Sequence, residues 1–163
     1  MGREGYAEGM TASARVDGDL HGRAAAMLAA RGQKYTTGRR SIVAALAALA
    51  GAGHPATIAE LLAAVPGLAA STAYRNMAVL GEASVVIRIG GTDEFARFEL
   101  SEELSGRHHH HVVCTDCGRV LDTGAPAGLE AALAEAVRGV TQSGEFEITG
   151  HRLELVGRCA DCR

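Results

Sequence analysis

The chain has 163 residues, of which 47% are hydrophobic and 4% are aromatic, and its net charge is −3. This length allows one sizeable domain or two small ones, with a core built from aliphatic side chains. No run of 18 apolar residues exists, which excludes a hydrophobic membrane-spanning helix, and residues 1–5 lack the basic-then-apolar start of a signal peptide. We therefore expect a cytoplasmic protein with reduced thiols and no membrane partner.

The net charge is divided unevenly along the chain. Residues 1–90 carry nine Lys+Arg against six Asp+Glu, a balance of +3, and residues 91–163 carry seven against thirteen, a balance of −6. The acidic half also holds all four cysteines and five of the seven histidines. Such an asymmetry indicates two modules with different partners.

The first 100 residues predict mainly short helices. Residues 1–22 are rich in Gly, Ala and charge without periodicity, so we expect a mobile N-terminal tail. An Ala-rich helical segment follows and ends at Gly32. A second helix is predicted after Thr36 or Thr37, with Ile42, Leu46 and Leu49 on one face.

Two more helices and a hairpin complete this half. Thr57 and Glu60 form a capping box that opens the third helix. The fourth is predicted from Thr72 to Leu80, capped by Ser71 and stopped by Gly81. Residues 85–89 and 95–100 alternate around the turn 90–93, as in a β-hairpin.

Three short helices followed by a hairpin predict a winged-helix DNA-binding domain over residues 23–100. In this fold the segment Tyr74-Arg75-Asn76 starts the helix that enters the DNA major groove. We expect residues 101–107 to act as a hinge.

The second half predicts a small α+β module over residues 108–163, suited to metal binding and dimerisation. Strands are expected at 108–114, 119–121, 145–149 and 152–156. Between them one helix is expected with a stripe of Leu129, Leu133, Ala136 and Val137.

The four cysteines form two Cys-x-x-Cys pairs. Each pair spaces two sulfurs as neighbouring ligands of one metal ion, and two pairs brought together make a tetrahedral thiolate site. Structural zinc is the favoured interpretation, with a thiol redox motif as the alternative. The predicted ligands are Cys114, Cys117, Cys159 and Cys162.

Four consecutive histidines lead into the first Cys-x-x-Cys pair. Because side chains alternate along a strand, His108 and His110 point to one face and His109 and His111 to the other. One strand can therefore supply ligands to two separate metal sites, although a solvated strand is the simpler alternative.

Several segments together resemble the ferric uptake regulator (Fur) family, in the order of that family. The resemblance covers roughly residues 23–162 and implies a homodimeric bacterial repressor that binds AT-rich operators when a divalent metal is bound. The segments are Lys34-Tyr35-Thr36-Thr37-Gly38-Arg39, Ser71-Thr72-Ala73-Tyr74-Arg75-Asn76-Met77, the His run with Cys114 to Val120, His151, and the Cys159/Cys162 pair.

The resemblance also implies how the histidines are used. His109 and His111 would join Glu99 and His54 in a regulatory site that ties the two modules together. The spacing from Glu99 to the His run is longer than usual, so Asp93 or Glu102 are alternative carboxylates. A second site would consist of His108, His110, Glu130 and His151.

The resemblance does not identify the regulatory metal. Actinobacterial zinc sensors of the family have a cysteine shortly before the His run, where this chain has Leu100-Ser101. A site of nitrogen and oxygen ligands suits iron or manganese as well as zinc. We expect a regulatory Fe²⁺ or Zn²⁺ ion, with Mn²⁺ and Ni²⁺ as alternatives.

The predicted DNA contacts lie at the starts of two helices. Tyr74 can offer its ring to a thymine methyl group, and Arg75 suits a phosphate. A solvated helix face is the alternative for each residue. The other predicted contacts are Ser71, Thr72, Lys34, Arg39 and Arg40.

These observations predict a metal-dependent transcriptional repressor that controls metal-homeostasis genes and binds a double-stranded DNA operator as a homodimer. A zinc-dependent hydrolase is one alternative, but it needs a positioned general base, and no His-Glu-x-x-His segment is present. A thiol-redox or zinc-storage protein is another. Metal-dependent DNA binding distinguishes the repressor from both.

Overall fold

The computed structural model describes residues 19–90, 96–148 and 150–163. The chain forms two compact units, one up to Arg107 and one from His108 onward. Within the described residues, no helix is long and apolar enough to cross a membrane. The predicted mobile tail lies outside the described residues as far as residue 18. It is wrong for residues 19–22, which are helical because Leu20 packs against the hydrophobic core.

The described part of the first unit contains four main helices. They are α1 (residues 19–30), α2 (Thr37–Leu49), α3 (Ile58–Ala64) and α4 (Ala70–Glu82), and a 3-10 turn, Ala50–Ala52, follows α2. Thr36 caps α2 by accepting a hydrogen bond from the Arg39 backbone amide at 3.4 Å. The capping box of Thr57 and Glu60 at the start of α3 is confirmed.

The fourth helix differs from the prediction at both ends. Its N-cap is Ala69, which makes no side-chain capping bond, and Ser71 already lies in the first turn. The helix runs through Gly81 to Glu82. A glycine costs a helix only about 1 kcal/mol, and the buried Leu80 and Ala83 on either side of Gly81 hold this end in the core.

The wing is a three-stranded sheet of order β1-β3-β2. Its strands are β1 (Ala56–Thr57), β2 (Val86–Ile89) and β3 (Arg97–Leu100), all antiparallel. The predicted hairpin is confirmed in its paired strands, whereas most of the turn lies in residues 91–95, outside the described part. Together with the helices, the sheet gives the predicted winged helix.

One hydrophobic core holds the first unit together. Each of its elements supplies aliphatic side chains, and burying one large side chain is worth about 1.5–3 kcal/mol. A helical turn, α5 (Glu102–Ser105), adds Leu104, which is only 2% exposed. Residues 102–105 of the predicted hinge are therefore anchored in this unit, and the hinge role of 101–107 stays a prediction. The largest fully buried core side chains are Leu28, Ile42, Val43, Leu61, Leu80 and Val85.

The second unit is a small α+β fold. Its sheet has the order β5-β4-β6, formed by β4 (His110–Cys114), β5 (Val120–Thr123) and β6 (Glu154–Gly157). Strand β4 lies in the centre, antiparallel to β5 and parallel to β6. Helix α6 (Ala127–Gln142) lies between β5 and β6 in the chain, and a 3-10 turn, Ala160–Cys162, follows Cys159 and ends at the last cysteine.

The strand predicted at 145–149 is wrong for residues 145–148, which form no strand; residue 149 is not described. Their alternation is real, but a strand also needs a hydrogen-bonded neighbour. The sheet consists of β5, β4 and β6, and residues 145–148 pair with none of these strands.

The second unit leaves much apolar surface exposed. No residue of α6 is buried, although the helix carries the predicted apolar stripe. Exposed apolar patches of this kind mark interaction surfaces. The exposed large side chains of this unit are Val112, Leu121, Leu129, Val140, Phe146, Leu155 and Val156.

Candidate metal centres and nucleic-acid interface

Helix α4 presents a polar face away from the core. Ala73, Met77 and Leu80 are buried on one side, whereas Tyr74 is 52% exposed on the other. Arg75 is also exposed, and its guanidinium donates to the Ser71 carbonyl at 3.2 Å and to Thr72 Oγ1 at 3.4 Å. The helix therefore offers an aromatic ring and a cation side by side to a ligand in solution.

The start of α2 adds further cations. Lys34 and Arg40 are exposed, and the Arg40 guanidinium lies 5.1 Å from the centre of the Tyr35 ring, a cation–π arrangement. Burial raises the pKa of Tyr35 to about 12, so its hydroxyl is neutral and lies 2.6 Å from His21 Nδ1. Arg40 is thus held at the surface by a ring that is itself anchored to α1.

Arg39, the other predicted DNA contact here, is used differently. It is half-buried, and its Nε donates to Asn76 Oδ1 of α4 at 3.3 Å. Its Nη1 donates to the Lys34 carbonyl at 2.5 Å. Two of its donors are therefore engaged within the first unit.

The four cysteines converge in the second unit. All four sulfurs lie within 4.8 Å of one another, and Cys117 Sγ and Cys159 Sγ are 3.7 Å apart. Two sulfurs bound tetrahedrally to one zinc ion at about 2.3 Å lie about 3.8 Å apart. The spacing and the thiol chemistry both fit a closed zinc site.

The surroundings of these thiols favour a bound cation. The Cys159 backbone amide donates to Cys114 Sγ at 3.3 Å and helps to lower the pKa of that thiol to about 6. The neighbouring sulfurs of Cys159 and Cys117 instead raise the pKa of Cys162 well above its usual value. Ionisation of Cys162 near neutral pH therefore requires a positive ion beside it.

Two reciprocal ion pairs join the Cys-x-x-Cys turns. Asp116 in the first turn accepts from Arg158 Nε at 2.7 Å, just before the second turn. Asp161 in the second turn accepts from Arg119 Nη1 at 3.2 Å, just after the first. All four side chains are substantially exposed, so each pair contributes at most about 1 kcal/mol. Together they join the two Cys-x-x-Cys turns to each other.

A second cluster is centred on Glu130 of α6. Its carboxylate oxygens lie 2.5 Å from His110 Nε2 and 3.4 Å from the Nε2 atoms of His108 and His151. Hydrogen bonding to His110 holds the pKa of Glu130 below its usual value. His151 Nε2 is buried and has no hydrogen-bond partner in the described part of the chain. All four predicted ligands of the second site are thus together, and their chemistry fits a divalent ion.

On the opposite face of the His run lies a carboxylate that was not among the ligands predicted from the sequence. Asp122 of β5 pairs with His111 of β4, and its Oδ1 lies 3.8 Å from His111 Nε2 and 4.0 Å from His109 Nε2. Asp122 Oδ1 is buried and makes no hydrogen bond with any described residue. The predicted alternation of the histidines holds in the second unit, because the two faces contact different carboxylates. The hairpin register was the only signal for Asp122.

The remaining predicted regulatory ligands belong to the first unit. His54 lies with its Nε2 3.9 Å from Glu60 Oε1 and its Nδ1 3.1 Å from the Pro55 carbonyl oxygen. Glu99 lies on β3 and Glu102 begins α5. Asp93 lies outside the described residues. The assignment of these residues to a metal site stays a prediction.

Comparison with known proteins agrees with the resemblance seen in the motifs. Residues 30–156 match the model of the ferric uptake regulator family. The peroxide-responsive repressor PerR of Staphylococcus saprophyticus is 29% identical over 136 residues, which are 81% of this chain and 84% of that protein.

Two solved structures share both fold and sequence with the chain. The ferric uptake regulator of Pseudomonas aeruginosa, solved with manganese, has a TM-score of 0.60 and 27% identity, covering 82% of this chain and 95% of its own. The Vibrio cholerae ferric uptake regulator has a TM-score of 0.58 and 26% identity, covering 81% and 96%.

Proposed function

Because the chain belongs to the ferric uptake regulator family of metal-responsive, DNA-binding transcriptional repressors, we propose that a divalent ion held by His109, His111 and Asp122 switches its binding to DNA. The observation that supports this proposal is the convergence of His109, His111 and the partly buried Asp122 in the second unit, whose first residue is His108. The regulated genes would be those of metal homeostasis. Members of this family are regulators rather than enzymes, which removes the hydrolase alternative.

The regulatory ion would be Fe²⁺ or Zn²⁺, with Mn²⁺ and Ni²⁺ as alternatives. Two histidines and one carboxylate on one side of a metal, with other positions open, are the ligand set of non-haem Fe(II) sites, and the same set also binds zinc. As the family resemblance implies, Glu99 and His54 of the first unit would complete the coordination of this ion, with Glu102 or Asp93 as alternative carboxylates. The ion supplies the positive charge that allows these groups to share one site.

Ligands contributed by both units would make metal occupancy change the DNA-binding state. Metal can shift an equilibrium only by its difference in affinity for the two states. A 100-fold gain in DNA affinity therefore requires about 2.7 kcal/mol of coupling. A metal site confined to one unit has no direct means of providing this coupling free energy.

The other two clusters have separate roles in this proposal. Cys114, Cys117, Cys159 and Cys162 hold a structural Zn²⁺ ion, which stabilises the second unit. His108, His110, Glu130 and His151 hold a further divalent ion within that unit. A second copy of the chain covers the exposed apolar side chains of α6 and of the sheet, so that a cytoplasmic homodimer presents two α4 helices to one operator. In this arrangement Tyr74 contacts base edges, and the exposed cations contact phosphates.

The experiment compares two double variants of the His run. His109→Ala with His111→Ala should keep the thiolate-bound zinc but abolish the stimulation of DNA binding by metal. His108→Ala with His110→Ala is the matched control on the opposite face, and it should have a milder effect. The measurement is affinity against the free concentration of Fe²⁺, Mn²⁺, Zn²⁺ and Ni²⁺, with a DNA duplex that the wild-type protein selects from a random-sequence library. A greater loss in the control variant would reverse the assignment of the two faces.

Peroxide response is a second candidate, favoured by the nitrogen and oxygen ligand set and by the PerR relative. In this case treatment with hydrogen peroxide should release the Fe²⁺-loaded protein from DNA, while the Mn²⁺-loaded protein stays bound. Equal behaviour of the two forms would leave metal concentration as the only signal.

A further inference from the structure

Helix α4 is tied to the first turn of α2 through a single side-chain amide. Asn76 Oδ1 of α4 accepts a hydrogen bond from Arg39 Nε at 3.3 Å, and Asn76 Nδ2 donates to the Thr72 carbonyl at 3.0 Å. The second bond lies within α4 and fixes the orientation of the amide. The first bond crosses to α2.

Two more contacts support this connection. The Arg39 guanidinium also donates to the Lys34 carbonyl in the segment before α2, which holds the arginine side chain in place. A Cβ atom added at Gly38, the preceding residue, would lie 3.9 Å from Asn76 Nδ2, an ordinary van der Waals distance. Asn76 therefore lies beside the start of α2 and also hydrogen-bonds to it.

The position of Asn76 makes it suited to set the rotation of α4. It is half-buried, between the exposed pair Tyr74 and Arg75 and the buried Met77. Side chains of a helix extend about 5–6 Å from its axis, so a rotation of about 20° would move the Tyr74 and Arg75 side chains by about 2 Å. A contact with a base edge does not tolerate such a displacement, whereas the long, flexible Arg75 side chain can still reach a phosphate.

We infer that the Arg39–Asn76 hydrogen bond positions α4 for DNA recognition, and that Arg39 acts through Asn76 rather than as a phosphate ligand. Both are positioning residues. This inference rests on the proposal that α4 presents Tyr74 and Arg75 to DNA. It replaces the direct DNA contact that the sequence alone predicts for Arg39.

The two roles for Arg39 have different signatures. A phosphate contact weakens binding to all DNA when it is removed, and it reduces the slope of log affinity against log salt by about 1. A positioning contact leaves that slope unchanged and lowers only the preference for the selected sequence. The losses of affinity caused by removing Arg39 and by removing Asn76 should also be non-additive, because either change breaks the same hydrogen bond.

The test uses the full-length, metal-saturated protein as wild type, Arg39→Ala, Asn76→Ala and the double variant. Each is titrated at several salt concentrations with a duplex selected by the wild type from a random library, and with a scrambled duplex of the same composition. Each single variant should lose about tenfold in affinity for the selected duplex and less than twofold for the scrambled one. The double variant should be no weaker than the weaker single variant, and all salt slopes should equal that of the wild type.

Three controls separate positioning from other effects. Arg40→Ala removes an exposed cation one residue away and should reduce both affinities and the salt slope. Asn76→Asp keeps an acceptor for Arg39, so it should retain most of the selected-to-scrambled ratio even though its charge weakens both affinities. Amide exchange across α2 and α4 measures the folded fraction, and a purely structural defect would lower both affinities in proportion to that fraction.

Additive losses in the double variant, a reduced salt slope for Arg39→Ala, or wild-type discrimination by Asn76→Ala would each overturn the inference. Tyr74→Ala and Arg75→Ala in the same assay distinguish a failure of this inference from a failure of the proposed contact between α4 and DNA. If those two variants bind as the wild type does, α4 is not the DNA-binding helix, and its proposed contact with DNA fails together with the positioning role. If they lose affinity while Asn76→Ala does not, only the positioning role is wrong.

Discussion

Replacing Cys117 by serine tests how far the second unit depends on its metal. Cys117 is exposed, so Cys117→Ser exchanges sulfur for oxygen with little effect on packing. The exchange removes one of four thiolates, and zinc should be lost or held far more weakly. We expect the second unit to unfold while the first unit stays folded.

The expected size of the effect follows from the small core of this unit. Between His108 and Arg163 the buried apolar residues in the described part are Val113, Cys114 and Val120. Two buried valines contribute roughly 3–6 kcal/mol, whereas a structural zinc ion contributes about 10–16 kcal/mol in small zinc domains. Metal binding therefore outweighs hydrophobic burial as the source of stability in this unit.

The assay combines zinc content, measured by elemental analysis, with amide hydrogen exchange followed by mass spectrometry. Peptides from β4, β5 and β6 should lose protection in Cys117→Ser, while peptides from α2 and α4 should keep it. Ala160→Ser is the matched control, because it places the same hydroxyl in the second Cys-x-x-Cys turn without removing a ligand. Unchanged zinc content, or full protection of β4 after zinc is lost, would refute the reasoning.

Three further outcomes are expected. Arg75→Ala should weaken binding to selected and scrambled DNA alike, whereas Tyr74→Ala should lower their ratio by about 5–30-fold, as fluorescence anisotropy would measure. Asp116→Asn combined with Asp161→Asn should speed the release of zinc to a chelator by about three- to tenfold, because exposed ion pairs are weak; an unchanged rate would deny these pairs a role in holding the two turns. Leu155→Glu should weaken self-association by tenfold or more in analytical ultracentrifugation, since it would place a charge on the exposed apolar sheet; an unchanged dimer would show that this patch is not the interface.

Local patterns in the sequence predicted much of the first unit. The capping box at Thr57, the cap at Thr36 and the end of α1 at Gly32 depend on residues within a few positions of one another, so they can be read from neighbours in the chain. The alternation of the four histidines is equally local, since it depends only on neighbouring residues, although His110 and His111 alone lie within β4. The convergence of the four cysteines was predictable, because two Cys-x-x-Cys motifs in a chain with reduced thiols are typical of a single zinc site.

Other features depended on which distant segments meet. Asp122 lies opposite His111 only through the register of β4 with β5, and the sequence around Asp122 gives no sign of a ligand. Arg39 looked like one more basic residue beside DNA, because its partner Asn76 is 37 positions away. The alternating residues 145–148 looked like a strand, but they pair with no strand of the sheet β5-β4-β6. Most helices and strands, and the kinds of ligand, could be predicted from the sequence because they follow from local backbone and side-chain chemistry. Which side chains share a site depends on the fold, because hydrogen bonds and ligand sets require proximity that spacing along the chain does not specify.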